Sequence, residues 1–273
     1  MDEDWGDWIG RTRTASEALD AATARKMQAT LDRGPTLEDG ATLPPAWHWL
    51  YFHDVAAASD LGPDGHVRLG IVMPPVGLPR RMWAGGTLEL HAPLVLGETA
   101  ERVSTIRSIE TKHGRTGSLV FVTVEHEIRQ GGRPCVSERQ DVVYREMPTE
   151  PFRSDPEPAP DAADLRASWQ FDTVALFRYS ALTFNGHRIH LDADHTRTVE
   201  GYPDLVVHGP LIATLLLDLA VRHDRPLHRF DYRARHPLFV DQPFTLHGRV
   251  EGDATELWAA GPHGGLAMSA RAT

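Results

Sequence analysis

The sequence predicts an α+β protein made of two related copies, in which curved antiparallel sheet wraps around buried helix. Three observations predict it. Four alternating segments rich in Val, Ile and Thr follow one another from residue 87 to 146 across Gly-containing turns, and four more follow from 229 to the C-terminus. Segments of that kind in direct succession form antiparallel sheets. Between the two runs lies "GPLIATLLLDLAVRH" (209–223), helical and apolar nearly all round, which places it inside the fold. Finally, "LELHAPLVLGE" (88–98) aligns with "YRARHPLFVDQ" (232–242), Pro93 over Pro237 and Gly97 over Asp241, and the elements that follow keep the same order. A sheet curled around a helix buries the apolar face of both.

Taken along the chain, "ASEALDAATARKMQATLD" (15–32) is rich in helix formers, with Leu19, Ala22, Met27 and Leu31 at three- and four-residue spacings, and predicts an amphipathic helix. Gly and Pro make 33–45 a loop. "AWHWLYFHD" (46–54) is an aromatic cluster suited to core or pocket wall, and 61–79 is irregular. Strands follow at 87–97, 101–114, 118–132 and 133–146. The Pro- and acid-rich stretch 148–164 has little to bury and predicts a linker. It divides the chain into an N-terminal half, 1–147, and a C-terminal half, 165–273. Residues 168–182 read as one strand or two, 209–223 as the buried helix, and the rest as four strands.

Composition narrows the function. A formal net charge of −10 argues against a nucleic-acid partner held through a basic face. One cysteine, Cys135, excludes an internal disulfide and most thiolate metal sites. The acidic N-terminus has no apolar run of the signal-peptide kind, and no stretch approaches the roughly 18 apolar residues of a membrane span. The expectation is a soluble cytoplasmic protein.

The chemistry concentrates in "FRYSALTFNGHRIHLD" (177–192). Asn185 and His190 stand five apart in a Gly-containing loop. An imidazole takes and gives a proton near neutral pH, and an amide can hold a water by donating and accepting. Together they suit the addition or removal of water. In "VVHGPL" (206–211), His208 and Gly209 open the buried helix, whose free N–H groups could hold a developing oxyanion. His187 and His190 also have the spacing of half a metal site, but no second ligand pair stands out, so no metal is expected. The bland alternative is that these are capping or surface histidines, of which the chain has fifteen in all.

The stretch 179–220, with "LPPAWHWLYF" (43–52), "LPRRMWAGGTLELHAPL" (78–94) and "GSLVFVTVEHEI" (117–128), resembles MaoC-like proteins of the hotdog superfamily, in the branch with a type 2 hydroxyacyl-thioester dehydratase domain. The resemblance implies a double hotdog, each half an antiparallel sheet on a long helix, with the N-terminal half degenerate and acyl-CoA bound between the halves. It implies a hydro-lyase that needs no cofactor, working as a monomeric double hotdog or a homodimer. The family's Asp and His fall on Asn185 and His190, and its oxyanion donor on Gly209. The Asn departs from the general pattern, so His190 must carry the proton while Asn185 orients water or acyl group. Tyr179, His187, His208, Arg80, Arg81 and Trp83 are the candidate substrate-binding residues.

"LPRRMWAGG" further resembles hydratases of mesaconyl-C4-CoA and itaconyl-CoA, short branched enoyl-CoAs that carry a carboxylate. Arg80 and Arg81 fit that carboxylate, the CoA phosphates or the surface, with nothing in the sequence to choose among them. The alternatives are a fatty-acid or polyketide-type (R)-3-hydroxyacyl-thioester dehydratase and a non-catalytic acyl-thioester-binding protein.

Overall fold

The computed structural model describes residues 5–114, 117–149, 152–221 and 227–273. Residues 222 and 223 of the expected helix and 150 and 151 of the expected linker lie outside them, as do residues 1–4. Ten strands form one antiparallel sheet in the order β1-β3-β4-β5-β2-β7-β10-β9-β8-β6. They are β1 (Thr12–Ala18), β2 (Arg80–Leu90), β3 (Thr99–Gly114), β4 (Gly117–Gln130), β5 (Arg133–Arg145), β6 (Leu165–Trp169), β7 (Arg229–Ala234), β8 (Phe244–Glu251), β9 (Ala254–Ala260) and β10 (Leu266–Ala272). Read outward from the central β2–β7 pair, the two sides repeat one topology: β2, β5, β4, β3, β1 on one, and β7, β10, β9, β8, β6 on the other. This is the double hotdog that the resemblance implies.

The repeat extends to backbone conformation. Gly97 has φ +84 and Asp241 has φ +59, so the aligned positions both turn through the left-handed region. The bridges Thr42↔Val95 and Val206↔Phe239 also stand at corresponding places. The halves are fused where β2 meets β7, from Gly85↔Arg233 to Glu89↔Arg229. Two glycines permit the join. A Cβ at Gly85 would lie 2.6 Å from the Tyr232 carbonyl, and one at Gly86 would lie 2.1 Å from the Arg139 carbonyl.

Helix α4 (Gly209–Val221) is the long buried helix of the C-terminal half, packed along β6 to β10. Leu211, Ile212, Leu215, Leu216, Leu217 and Leu219 are all buried; each such side chain contributes about 1.5–3 kcal/mol when removed from water. The N-terminal half departs from the expected pattern. Its helix α1 (Ala21–Thr30) has ten residues and packs mainly on α2 and on the 3-10 turn Trp47–Leu50. The inner face of β3 to β5, through Ile106, Val124 and Val142, packs instead against Met73 and Val76 of the segment before β2 and borders a cleft. The degeneracy of this half is thus the lack of a covering helix over its sheet.

Four local expectations need correction, the first being the strand expected at 87–97, which runs instead as β2 from Arg80 to Leu90. The helix expected over 15–32 begins only at Ala21, where Asp20 caps it by accepting from the Thr23 N–H. Residues 12–18 instead pair as an edge strand with β3, a tertiary pairing that overrides helix-forming Ala and Glu. Ala22 faces solvent, and Ala21 and Ala24 are buried in its place. Residues 173–182, expected as strand, form helix α2 (Thr173–Leu182). Asp172 caps it through the Ala175 N–H, and Leu176, Tyr179 and Ser180 line its buried face, so cap and 3.6-residue period outweigh the β-propensity of Val174 and Phe177. The short helix α3 (Ala193–Thr198) follows Asp192, which caps it. No helix among the described residues is long and apolar enough to cross a membrane.

The N-terminal half also buries a polar knot. Glu138 accepts from Trp49 Nε1 at 2.8 Å and Gln140 Nε2 at 2.6 Å, and lies 3.0 Å from His48 Nε2. Burial alone would raise its carboxyl. The hydrogen bonds and the nearby His48 and His126 outweigh that and hold it at about 2.

Candidate active site

A cleft of about 1390 Å³ runs between the halves, larger than the roughly 300–1,000 Å³ of ordinary small-ligand sites. His190, Asn185, His187 and Gly209 border it from the C-terminal half, and Arg81 and His66 from the N-terminal half.

The chain reaches the cleft by leaving α2 abruptly. Phe184 takes φ +48, and the Asn185 N–H returns to the Ser180 carbonyl at 2.8 Å. Asn185 Oδ1 then accepts the His187 N–H at 3.0 Å. The amide's oxygen thus shapes the loop, and its Nδ2 hydrogens remain for a ligand. His190 sits on the 3-10 turn Arg188–His190. Its Nδ1 donates to the Val206 carbonyl at 2.6 Å. That fixes the tautomer and leaves Nε2 with a lone pair. Burial lowers this ring to about 4, against a smaller upward pull from Val206, so it is neutral at pH 7.

His208 lies behind His190. Its ring is fully buried and stacks on that of His190 with centroids 3.7 Å apart. Its Nε2 is 2.8 Å from Ser180 Oγ, and Tyr179 meets it edge-on at 4.8 Å. Tyr179 is itself buried but lines the cleft, whereas His208 lies behind it and packs on His190. Gly209 is the first residue of α4, so its N–H has no acceptor within the helix. Trp83 explains the glycine: a Cβ there would lie 2.8 Å from Trp83 Cε3. Trp83 is stacked in turn on Tyr232, with centroids 4.6 Å apart.

The two arginines part company. Arg80 is buried, with Nε 3.0 Å from Glu200 Oε2 and its guanidinium 4.4 Å above the Tyr202 ring. Both arginines border the cleft, but Arg81 differs in that among the described residues no carboxylate lies within ion-pair distance of it. Its charge still helps to lower the His66 and His187 rings.

The irregular segment 61–79 holds what sequence reasoning missed. Between Leu61 and Val67, which bridge each other, a loop carries Asp64 and His66 to the cleft. His66 Nδ1 donates to Asp64 Oδ2 at 2.9 Å. The His66 ring lies 4.2 Å from that of His187, which meets His190 edge-on at 5.5 Å. One donor atom each of Asp64, His66 and His187 lie within 4.8 Å of one another, but His66 Nδ1 is already committed to Asp64. His187 and His190 do not present two free nitrogens to one ion either, because His190 Nδ1 is held by Val206. The sequence signal was the "GPDGH" turn, with Asp64 and His66 on either side of Gly65, which periodicity cannot rank.

Comparison with known proteins identifies the family and the fold. The family model for hydroxyacyl-thioester dehydratase type 2 matches residues 46–240. The mesaconyl-C(4)-CoA hydratase of Chloroflexus aurantiacus is 44% identical over 98% of this chain and 96% of its own. The crystal structure of a MaoC-like dehydratase from Phytophthora capsici matches with a TM-score of 0.72 at 14% identity, over 98% of this chain and 96% of that one. A Mycobacterium tuberculosis protein described as having a double hotdog fold matches with a TM-score of 0.61 at 12% identity, over 97% and 94%. The last two likenesses concern the fold alone.

Proposed function

The chain belongs to the hydroxyacyl-thioester dehydratase type 2 family, and on that premise we propose that it adds water reversibly to a short branched enoyl-CoA bearing a carboxylate, of the mesaconyl-C4-CoA or itaconyl-CoA kind, giving citramalyl-CoA. The observation that carries this reading is Arg81, a cation with no carboxylate within ion-pair distance among the described residues, in the cleft that holds His190 and Gly209. No cofactor takes part, because the chemistry needs only proton transfer and oxyanion stabilisation.

In the proposed mechanism the thioester carbonyl points at the Gly209 N–H. There the start of α4 holds the negative charge of the enolate. His190 Nε2 serves the α-carbon, giving it a proton in hydration and taking one in dehydration. The Val206 carbonyl keeps Nδ1 protonated, so the same nitrogen always faces the substrate. Asn185 Nδ2 steadies the water or the acyl group. Because the cleft draws residues from both halves, we propose that one chain holds a complete site. The fatty-acid type reading predicts a long apolar acyl channel. An unpaired guanidinium bordering the cleft favours the carboxylated substrate.

Arginine substitution tests the reading. Arg81→Gln should raise KM for mesaconyl-C4-CoA about 10- to 150-fold, the worth of a charge-assisted hydrogen bond at roughly 1.5–3 kcal/mol, and leave KM for crotonyl-CoA nearly unchanged. Arg80→Gln should instead lower the melting temperature by leaving Glu200 buried without its partner. An equal rise on both thioesters would assign Arg81 to the CoA phosphates, and no rise on either would remove it from recognition.

A further inference from the structure

We infer that His66, oriented by Asp64, is a second acid/base residue of this site, and that it handles the proton of the water while His190 handles the proton of the α-carbon. The inference rests on the hydro-lyase reading above and assigns the half of the chemistry that Asn185 cannot perform.

The loop that carries the pair is seated on the catalytic loop by contacts that allow little variation. Gly65 has φ +89, and a Cβ on it would lie 1.9 Å from the Gly186 carbonyl oxygen. The Arg188 N–H donates to the Asp64 carbonyl at 2.8 Å, and Arg188 Nη1 to the Pro63 carbonyl at 3.1 Å. These contacts cross from one half of the fold to the other and fix His66 against His187. Asp64 accepts twice from the same residue, Oδ1 from the backbone N–H at 3.1 Å and Oδ2 from Nδ1 at 2.9 Å. A carboxylate on Nδ1 sets the tautomer, leaves Nε2 as a base and stabilises the imidazolium once a proton arrives. The groups that act on this ring are Asp64 on its own loop, Arg81 on β2 and His187 on the catalytic loop. Burial and Arg81 favour the neutral ring, and Asp64 favours the charged one.

Arg81 and Gly209 orient the roles. With the thioester at Gly209 and the substrate carboxylate at Arg81, the β-carbon lies on the His66 side and the α-carbon on the His190 side. In hydration, His66 Nε2 takes a proton from water as the C–O bond forms at the β-carbon. The electron pair of the C=C bond moves onto the thioester oxygen. The proton passes through His187, whose ring touches both neighbours, to His190 Nε2. His190 gives it to the α-carbon as the enolate collapses. Every ring ends neutral, as it began, and dehydration runs the same path in reverse.

The test uses 3-hydroxybutyryl-CoA in D2O, which lacks the carboxylate and so does not depend on how Arg81 is used. Two rates are followed: dehydration to crotonyl-CoA, and exchange of the α-proton for deuterium. In His66→Gln, dehydration should fall at least about 100-fold with KM within a few-fold, while α-proton exchange stays within about tenfold of the wild type. Retained exchange also shows that the His190 side of the site is folded. Asp64→Asn should give the same split, smaller in size. Equal loss of both rates in both variants would make the pair structural, and no loss of either would make it idle; each overturns the inference. Loss of wild-type activity to a chelator, restored by Zn²⁺, would overturn it too, by making Asp64, His66 and His187 metal ligands. Preference of the wild type for crotonyl-CoA over mesaconyl-C4-CoA would sink the substrate reading and the orientation taken from Arg81, and the split measured on 3-hydroxybutyryl-CoA would then decide the role of His66 by itself.

Discussion

His190→Ala should lower kcat by at least about 100-fold, the lower bound for removing a general acid/base, with the melting temperature shifted only slightly. The imidazole carries a free basic nitrogen and stacks on His208, the residue that precedes α4. Its Nδ1 is spent on Val206 at 2.6 Å, one face is covered by His208, and only Nε2 is left to work. Neighbouring rings cannot replace it. His208 is fully buried behind it, and His187 stands one ring further from Gly209. KM should change little, because alanine removes no group assigned to binding. Steady-state kinetics on a variant with native circular dichroism decide the matter. Turnover within tenfold of the wild type would take the proton transfer away from His190.

Glu138→Ala should cost about 3–5 kcal/mol, since each buried donor left without its acceptor costs about 1–3 kcal/mol. At roughly 2–4 °C per kcal/mol for a chain near this size, the melting temperature should drop by roughly 6–20 °C. The loss is large because three donors depend on this carboxylate: Trp49 Nε1, Gln140 Nε2 and His48 Nε2. pH adds a signature. The folded carboxyl titrates at about 2, below its ordinary 4.5. Its contribution is therefore complete above 4.5 and is lost as pH falls from there through about 2. The wild type should lose stability across that window more steeply than the alanine variant. A loss under 1 kcal/mol at pH 7 would mean that the knot around Glu138 is solvated.

The strands were legible because burial on one face writes a period of two into the sequence, and α4 because burial nearly all round leaves it with few polar residues, Thr214 and Asp218. Their pairing could not be read. β1 and α2 each went against their local composition, one for an edge pairing with β3 and the other for the Asp172 cap. Asn185, His190 and Gly209 stood out because the residue types suit the chemistry and their spacing within one segment is short. The difference between Arg80 and Arg81 was hidden, because the partner that occupies Arg80, Glu200, is 120 residues away. Asp64 and His66 were hidden for the same reason: nothing in "GPDGH" shows that a loop of one half will be seated on Gly186 of the other.

The most direct test of the central claim is the hydration rate of the wild-type protein on mesaconyl-C4-CoA and crotonyl-CoA, followed by loss of the conjugated thioester absorbance, and on itaconyl-CoA, whose C=C bond is not conjugated with the thioester, followed by chromatography of the hydrated product. A carboxylate-binding Arg81 predicts kcat/KM higher for one of the two carboxylated thioesters than for crotonyl-CoA by about 10- to 150-fold, the factor that corresponds to roughly 1.5–3 kcal/mol. Equal or faster hydration of crotonyl-CoA would contradict the proposed substrate class.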